Sequence, residues 1–276
     1  MIKKCLIRSI FPEEYRPLLQ PGSGHSRGQI ALHALFGRFL AKLKTGLYRK
    51  VRVEPVMRSE GRDWPAEAET MIGLKRLDQL QACITDVLGS KVPGDLIETG
   101  VWRGGAAIFM CAVLEAHADT ERRVWVADSF AGLPKPDGRY PLDKGDVHWR
   151  LRSVLAIPLE VVKANFARYG LLTERVRFLE GWFKDTLPAS GIERLAVLRV
   201  DGDMYSSTMD VLENLYPRLS PGGYAIIDDY GAVPACRQAV ADYRTRHGIA
   251  EPIQTIDWTG VFWKKSLKQS PGYADE

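Results

Sequence analysis

The spacing of apolar positions changes twice along the chain. From residue 29 to 49 they recur at near-helical intervals (Ile30, Ala34, Leu35, Phe39, Leu40, Leu43, Leu47), with Arg38, Lys42, Lys44 and Arg49 between them. This predicts a basic amphipathic helix, packed on its own domain, on a second subunit or on a membrane surface. A second helix is expected over residues 65–88, with Leu74, Leu77, Gln81, Ile84 and Leu88 along one side and Gly89 as a stop. Beyond it, short apolar runs alternate with helical ones. Strands are expected at 95–98, 123–128, 176–180, 195–201 and 224–229, followed by a hairpin from 254–258 through Thr259-Gly260 into 261–264.

Near-continuous apolar strands separated by helices indicate a parallel sheet covered on both faces, and the closing hairpin makes the last strand antiparallel. The fold class is therefore α/β. The expected architecture is a doubly wound, Rossmann-like, mostly parallel seven-stranded sheet with an antiparallel terminal hairpin, as in class I S-adenosylmethionine (SAM) methyltransferases. Residues 133–166 carry Pro134, Pro136, Pro141 and Pro158 and exceed an ordinary connection. They are expected to form a lid over a site.

Composition adds one thing to this pattern. With 276 residues, 45% apolar and 26% charged, the chain can bury a sizeable core, which excludes disorder. The net charge of +4 hides an asymmetry: residues 1–62 hold 13 Lys/Arg against 4 Asp/Glu, a net of +9, which leaves −5 for residues 63–276. The expected division is a basic N-terminal helical arm, 1–62, and a catalytic domain, 63–276. Cys5, Cys83, Cys111 and Cys236 show neither disulfide nor zinc spacing. No signal peptide or 18-residue apolar run is present, so a cytoplasmic protein with no nucleic-acid or membrane partner is expected.

Ligands of such sheets sit beyond the carboxyl ends of the strands. The first strand runs into Glu98-Thr99-Gly100-Val101-Trp102-Arg103-Gly104-Gly105. Glycines here let the backbone turn and approach closely. Glu98 would repel a pyrophosphate but can accept from an ammonium group. Asp128, ending the second strand, suits ribose hydroxyls, and Gly181-Trp182 after the third suits an adenine ring. A nucleoside carrying an amino acid, hence SAM, fits better than NAD.

The fourth and fifth strands end in Asp201-Gly202-Asp203 and Asp228-Asp229. Four carboxylates at neighbouring strand ends repel one another unless some protonate or a cation joins them. An all-oxygen set suits Mg²⁺, which would lower the pKa of an acceptor hydroxyl while a nearby carboxylate takes its proton. Ligation and proton transfer need different residues, and one aspartate is expected to cap the following helix. His148, in the expected lid, is a further candidate base.

Six blocks in order carry a family resemblance: 70–78, 95–105, 127–134, 179–188, 199–205 and 222–230. Over about residues 63–265 the chain resembles the macrocin O-methyltransferase family of TylF type. The resemblance implies a SAM- and Mg²⁺-dependent enzyme that methylates a sugar hydroxyl of a glycosylated natural product and forms a homo-oligomer. It implies Asp201, Asp228 and Asp229 as metal ligands and Asp203 as general base. It further implies Glu98, Thr99, Gly100, Trp102, Asp128, Ser129, Gly181 and Trp182 as cofactor contacts, with Thr70-Met71 similar to a segment that closes over SAM. The competing readings are a catechol-type enzyme and a non-catalytic, membrane-associated SAM-binding protein.

Overall fold

The computed structural model describes residues 1–11, 13–17, 48–136, 140–143 and 152–267. Helix α1 (Ile2–Leu6) leads into a two-stranded antiparallel sheet of β1 (Glu13–Pro17) and β2 (Tyr48–Arg52), then α2 (Pro55–Ser59) and α3 (Gly73–Gly89). Next come β3 (Asp95–Thr99), α4 (Gly105–Ala116), β4 (Val124–Asp128), α5 (Arg152–Leu155), α6 (Leu159–Arg168) and β5 (Val176–Glu180). The chain continues through α7 (Phe183–Thr186), β6 (Leu195–Val200), α8 (Tyr205–Leu215), β7 (Leu219–Ile227), α9 (Pro234–Arg246), β8 (Gln254–Thr255) and β9 (Val261–Lys264).

The main sheet has the order β5-β4-β3-β6-β7-β9-β8. Strands β3 to β7 are parallel, whereas β9 runs antiparallel to both β7 and β8. This is the expected doubly wound arrangement, with the strand order reversing at β3. On one face α1, α3, α4 and α6 pack through residues such as Leu6, Leu77, Ile84, Ile108 and Phe166. On the other, α8 and α9 pack through Met209, Leu212, Ala239 and Tyr243. Each fully buried aliphatic contributes about 1.5–3 kcal/mol, and all six residues of β6 are buried, which makes this strand the rigid floor of what lies at its end.

Four expectations are corrected. The second helix begins at Gly73 rather than near 65, because the Glu69 amide donates to the Leu6 carbonyl (2.9 Å) and its carbonyl accepts from the Gly105 amide (3.0 Å). Those groups are lost to a helix. Strand β7 starts at Leu219 rather than 224, since a register irregularity lets Ser220-Pro221-Gly222-Gly223 continue the strand. The stretch expected to be lid up to 166 ends in α6, an ordinary helix that buries Val162 and Phe166 against Gly104. Of the predicted 29–49 helix, residues 29–47 lie outside the described residues, and Tyr48 and Arg49 belong to β2.

The compositional break near Gly61 is not a break in packing. Leu6 and Ile7 are fully buried in the same core as α3 and α4. Buried Arg58 donates to the Ile7 carbonyl (2.9 Å), to Glu14 (2.6 Å) and to Asp63 (2.7 Å). Basic residues of the N-terminal segment pair with acids on both sides of the break, as in Lys3–Asp78 (2.6 Å), Arg8–Glu67 (2.9 Å) and Lys50–Glu13 (2.6 Å). Among the described residues no helix is long and apolar enough to cross a membrane. The four cysteines are free thiols.

Candidate active site

A cavity of about 620 Å³ opens at the carboxyl ends of the strands, within the usual range for small-molecule sites. The β3–α4 turn forms its centre. At Gly100 (φ +84°) a Cβ would stand 1.7 Å from the Asp201 carbonyl oxygen, so only glycine lets the two strand ends meet. The close approach at Gly105 is to the chain itself: a Cβ there would lie 2.6 Å from the Glu69 carbonyl oxygen. That contact holds Thr70 and Met71 in the cavity wall.

On the β3–β5 side the wall includes Glu98, Gly100, Trp102, Asp128, Ser129, Gly181 and Trp182. Asp128 accepts from the Val101 amide (2.7 Å) and the Phe130 amide (2.8 Å), so its carboxylate also fixes two turns. Burial raises its pKa against those bonds. Ser129 donates to the Gly132 carbonyl (2.7 Å), and Trp102 donates to the Val154 carbonyl (3.4 Å). Thr99 is turned away from the cavity: its buried hydroxyl donates to the Arg199 carbonyl (3.2 Å).

The β6–β7 side holds the carboxylates, and oxygens of Asp201, Asp228 and Asp229 lie within 4.8 Å of one another. Arginines missing from the sequence reading bind them. Arg199, buried in β6, donates to Glu98 (2.6 Å), to Asp201 (2.8 Å) and to Asp228. Arg76, on the buried face of α3, donates to the other oxygen of Asp228 and to Asp257 (3.0 Å). The signals were present: Arg199 interrupts the apolar run Leu198-Arg199-Val200, and Arg76 sits at helical spacing with Leu77 and Leu80. A charge on such a face requires a buried partner.

With Asp203 in the same wall, six carboxylates (Glu98, Asp201, Asp203, Asp228, Asp229, Asp257) face two guanidiniums, which leaves −4 if all are ionised. The pKa shifts follow. Arg199 gains three carboxylates and is held charged. Glu98 loses all solvent and gains one guanidinium, so burial wins and pushes it up to about 8. Burial and then Asp228 push Asp201 up to about 6, and burial followed by Asp203 raises Asp229.

Acids with raised pKa bind more protons folded than unfolded, so stability falls with pH between the unfolded and folded values. For Glu98 that window runs from 4.5 to about 8, and for Asp201 from 3.8 to about 6. Metal-free protein should therefore lose stability between pH 5 and 8. Denaturant midpoints that rise across this range would contradict the assignment.

No aspartate of the cluster caps α8. Its first amides, Tyr205 and Ser206, donate to the buried carboxylate of Asp143 at 2.8 and 3.0 Å. Asp143 comes from the 133–166 stretch, where Tyr140 also packs on Tyr205 (ring centroids 4.9 Å apart). This leaves Asp201 and Asp203 to face the cavity. Asp143→Ala should lower the stability by about 1–2 kcal/mol, read as an earlier denaturant midpoint with an unchanged m-value; an unmoved midpoint would remove the cap from the account. Leu133, Pro134, Lys135 and Leu155 of the same stretch line the cavity. His148 lies outside the described residues.

The family model described as Macrocin-O-methyltransferase (TylF) matches residues 1–265. The chain belongs to this family. The match extends the resemblance to the first residue, in keeping with the packing of the N-terminal segment. The 8-demethyl-8-(2,3-dimethoxy-alpha-L-rhamnosyl)-tetracenomycin-C 4'-O-methyltransferase of Streptomyces olivaceus is 63% identical over 205 residues, 74% of this chain and 78% of the relative. The demethyldecarbamoylnovobiocin O-methyltransferase of Streptomyces niveus is 56% identical over 212 residues, 76% and 80% of the two chains. Among solved structures, the O-methyltransferase NovP superposes with a TM-score of 0.80 at 45% identity, covering 96% of each chain. This member of the family is accordingly an O-methyltransferase of the α/β, mostly parallel seven-stranded class.

Proposed function

We propose that the protein methylates a sugar hydroxyl of a glycosylated natural product, using SAM as donor and a divalent cation, Mg²⁺, as cofactor. The observation that carries this reading is the convergence, in one cavity, of a nucleoside-compatible wall at β3–β5 and an acidic cluster at β6–β7. One relative is named for a rhamnosyl tetracenomycin, a sugar-bearing acceptor.

The residues fit both groups. Glu98 Oε2 is buried with no hydrogen-bond partner and borders the cavity, where an amino-acid ammonium would satisfy it. Asp128 would take the ribose hydroxyls, and Gly181 and Trp182 the adenine. An all-oxygen set, with a surplus of −4 when fully ionised, calls for a hard cation, held by Asp201, Asp228 and Asp229, with Arg76 and Arg199 fixing the orientation of Asp228. When bound, the cation supplies Lewis-acid polarisation of the acceptor hydroxyl, and SAM supplies an electrophilic methyl group. The chain itself orients that hydroxyl and accepts its proton. Asp203 is suited to this, standing beside Asp229 through the bond from its own amide to Asp229 Oδ2 (3.2 Å).

A screen with methyl-labelled SAM against glycosylated natural products, free sugars and catechols tests the reading. Label is expected in the sugars of glycosides. Label confined to catechols would replace the proposed acceptor class.

A further inference from the structure

The cavity continues past the carboxylates. The sheet order places Gly181 and Asp128 toward one end, the Asp201 and Asp228 strand ends next, and the turn before β9 beyond them. That last end carries Trp258, and Trp64 lines the same cavity; the two are 44% and 45% exposed. Trp258 sits directly behind the metal-side turn: a Cβ on Gly231 would meet its carbonyl at 2.4 Å. Its indole N–H donates to the Glu60 carbonyl (3.0 Å), and the Arg62 guanidinium stands 5.5 Å from its ring centroid. The ring is thus fixed at its polar edge, while nearly half of its surface stays in solvent.

Exposed tryptophans at the end of a binding cavity are costly to leave wet and suited to a planar partner. The sugar to be methylated must lie at the carboxylates, because its hydroxyl has to reach Asp203. What extends toward Trp258 is therefore the group beyond the glycosidic bond. We propose that Trp64 and Trp258 form a platform for an aromatic aglycone, so that the enzyme selects aryl glycosides over alkyl glycosides of the same size. The inference rests on the proposed sugar O-methylation and specifies its acceptor class. Arg62 covers one face of the Trp258 ring and would leave the opposite face for the aglycone.

Isosteric probes test it on the full chain. Affinities of 2-naphthyl, phenyl and cyclohexyl α-L-rhamnosides for protein saturated with S-adenosylhomocysteine would be measured calorimetrically, alongside label transfer from SAM. The phenyl glycoside should bind about 2- to 10-fold more tightly than the cyclohexyl one of matched size, the range expected for aromatic stacking beyond area burial, and the naphthyl one more tightly still. Trp258→Ala and Trp64→Ala should bring that ratio toward one, and Trp258→Phe should preserve most of it. The ratio within each variant is unaffected by a shared loss of folded protein. Equal affinities for phenyl and cyclohexyl probes, or a ratio unmoved by both alanine variants, would overturn the platform while leaving sugar methylation intact. If no rhamnoside binds or accepts label, the sugar reading fails and the platform with it.

Discussion

Asp203→Asn is expected to leave cofactor binding intact and to lower kcat by about 10²- to 10⁴-fold, the range for a lost general base. The substitution is mild structurally. Asp203 has φ +56°, a left-handed conformation that asparagine tolerates as well as any residue with a side chain. The amide bond to Asp229 Oδ2 involves the backbone and survives the change. Affinity for S-adenosylhomocysteine, which the proposed site would hold on the β3–β5 side, should stay within about two-fold, whereas single-turnover methyl transfer collapses. Full turnover in the variant would place the base elsewhere, with His148 the next residue to replace.

The second large effect concerns folding. Arg199→Met should destabilise the metal-free protein by about 3–5 kcal/mol, because it strips the counter-charge from Glu98, Asp201 and Asp228 at once. Arg76 still holds one oxygen of Asp228, so that carboxylate is not orphaned. Glu98 is left with the Ala107 amide alone, since Arg199 is the one side-chain hydrogen-bond partner found for it among the described residues. The loss should be greater at pH 8.5 than at pH 5.5, where protonation of Glu98 and Asp201 relieves the uncompensated charge. Denaturation curves at the two pH values read this directly, and a variant as stable as the parent at pH 8.5 would show that the network is not a counter-charge for the cluster.

These two residues mark how far the sequence could be read. The place of Asp203 in the cavity wall was legible because strand ends in a doubly wound sheet point at the ligand crevice, and near-continuous apolar runs locate strand ends well. Glu98, Gly100, Asp128 and Gly181 reached the cavity for the same reason. Arg199 was overlooked because a lone charge inside an apolar run looks like noise until its register partner is known. In the sheet, Arg199 pairs with Glu98 itself.

Long-range compensation was equally hard to see. The cap of α8 comes from Asp143, 62 residues before Tyr205, so local capping rules pointed to the wrong aspartates. The charge asymmetry of residues 1–62 suggested a basic arm beside the catalytic domain. In the fold, Arg58 spends its charge inside the protein, joining Glu14 and the Ile7 carbonyl to the cavity residue Asp63. Net charge counts side chains but does not say where they end.

The acidic cluster is proposed to work with a divalent cation in transferring a methyl group to a sugar. The most direct measurement is the initial rate of label transfer from SAM to 2-naphthyl α-L-rhamnoside in EDTA, followed by titration with excess Mg²⁺. The rate should fall near background in EDTA and be restored in full by Mg²⁺ in the parent protein but not in Asp229→Asn. A full rate in EDTA would rule out a role for the cation.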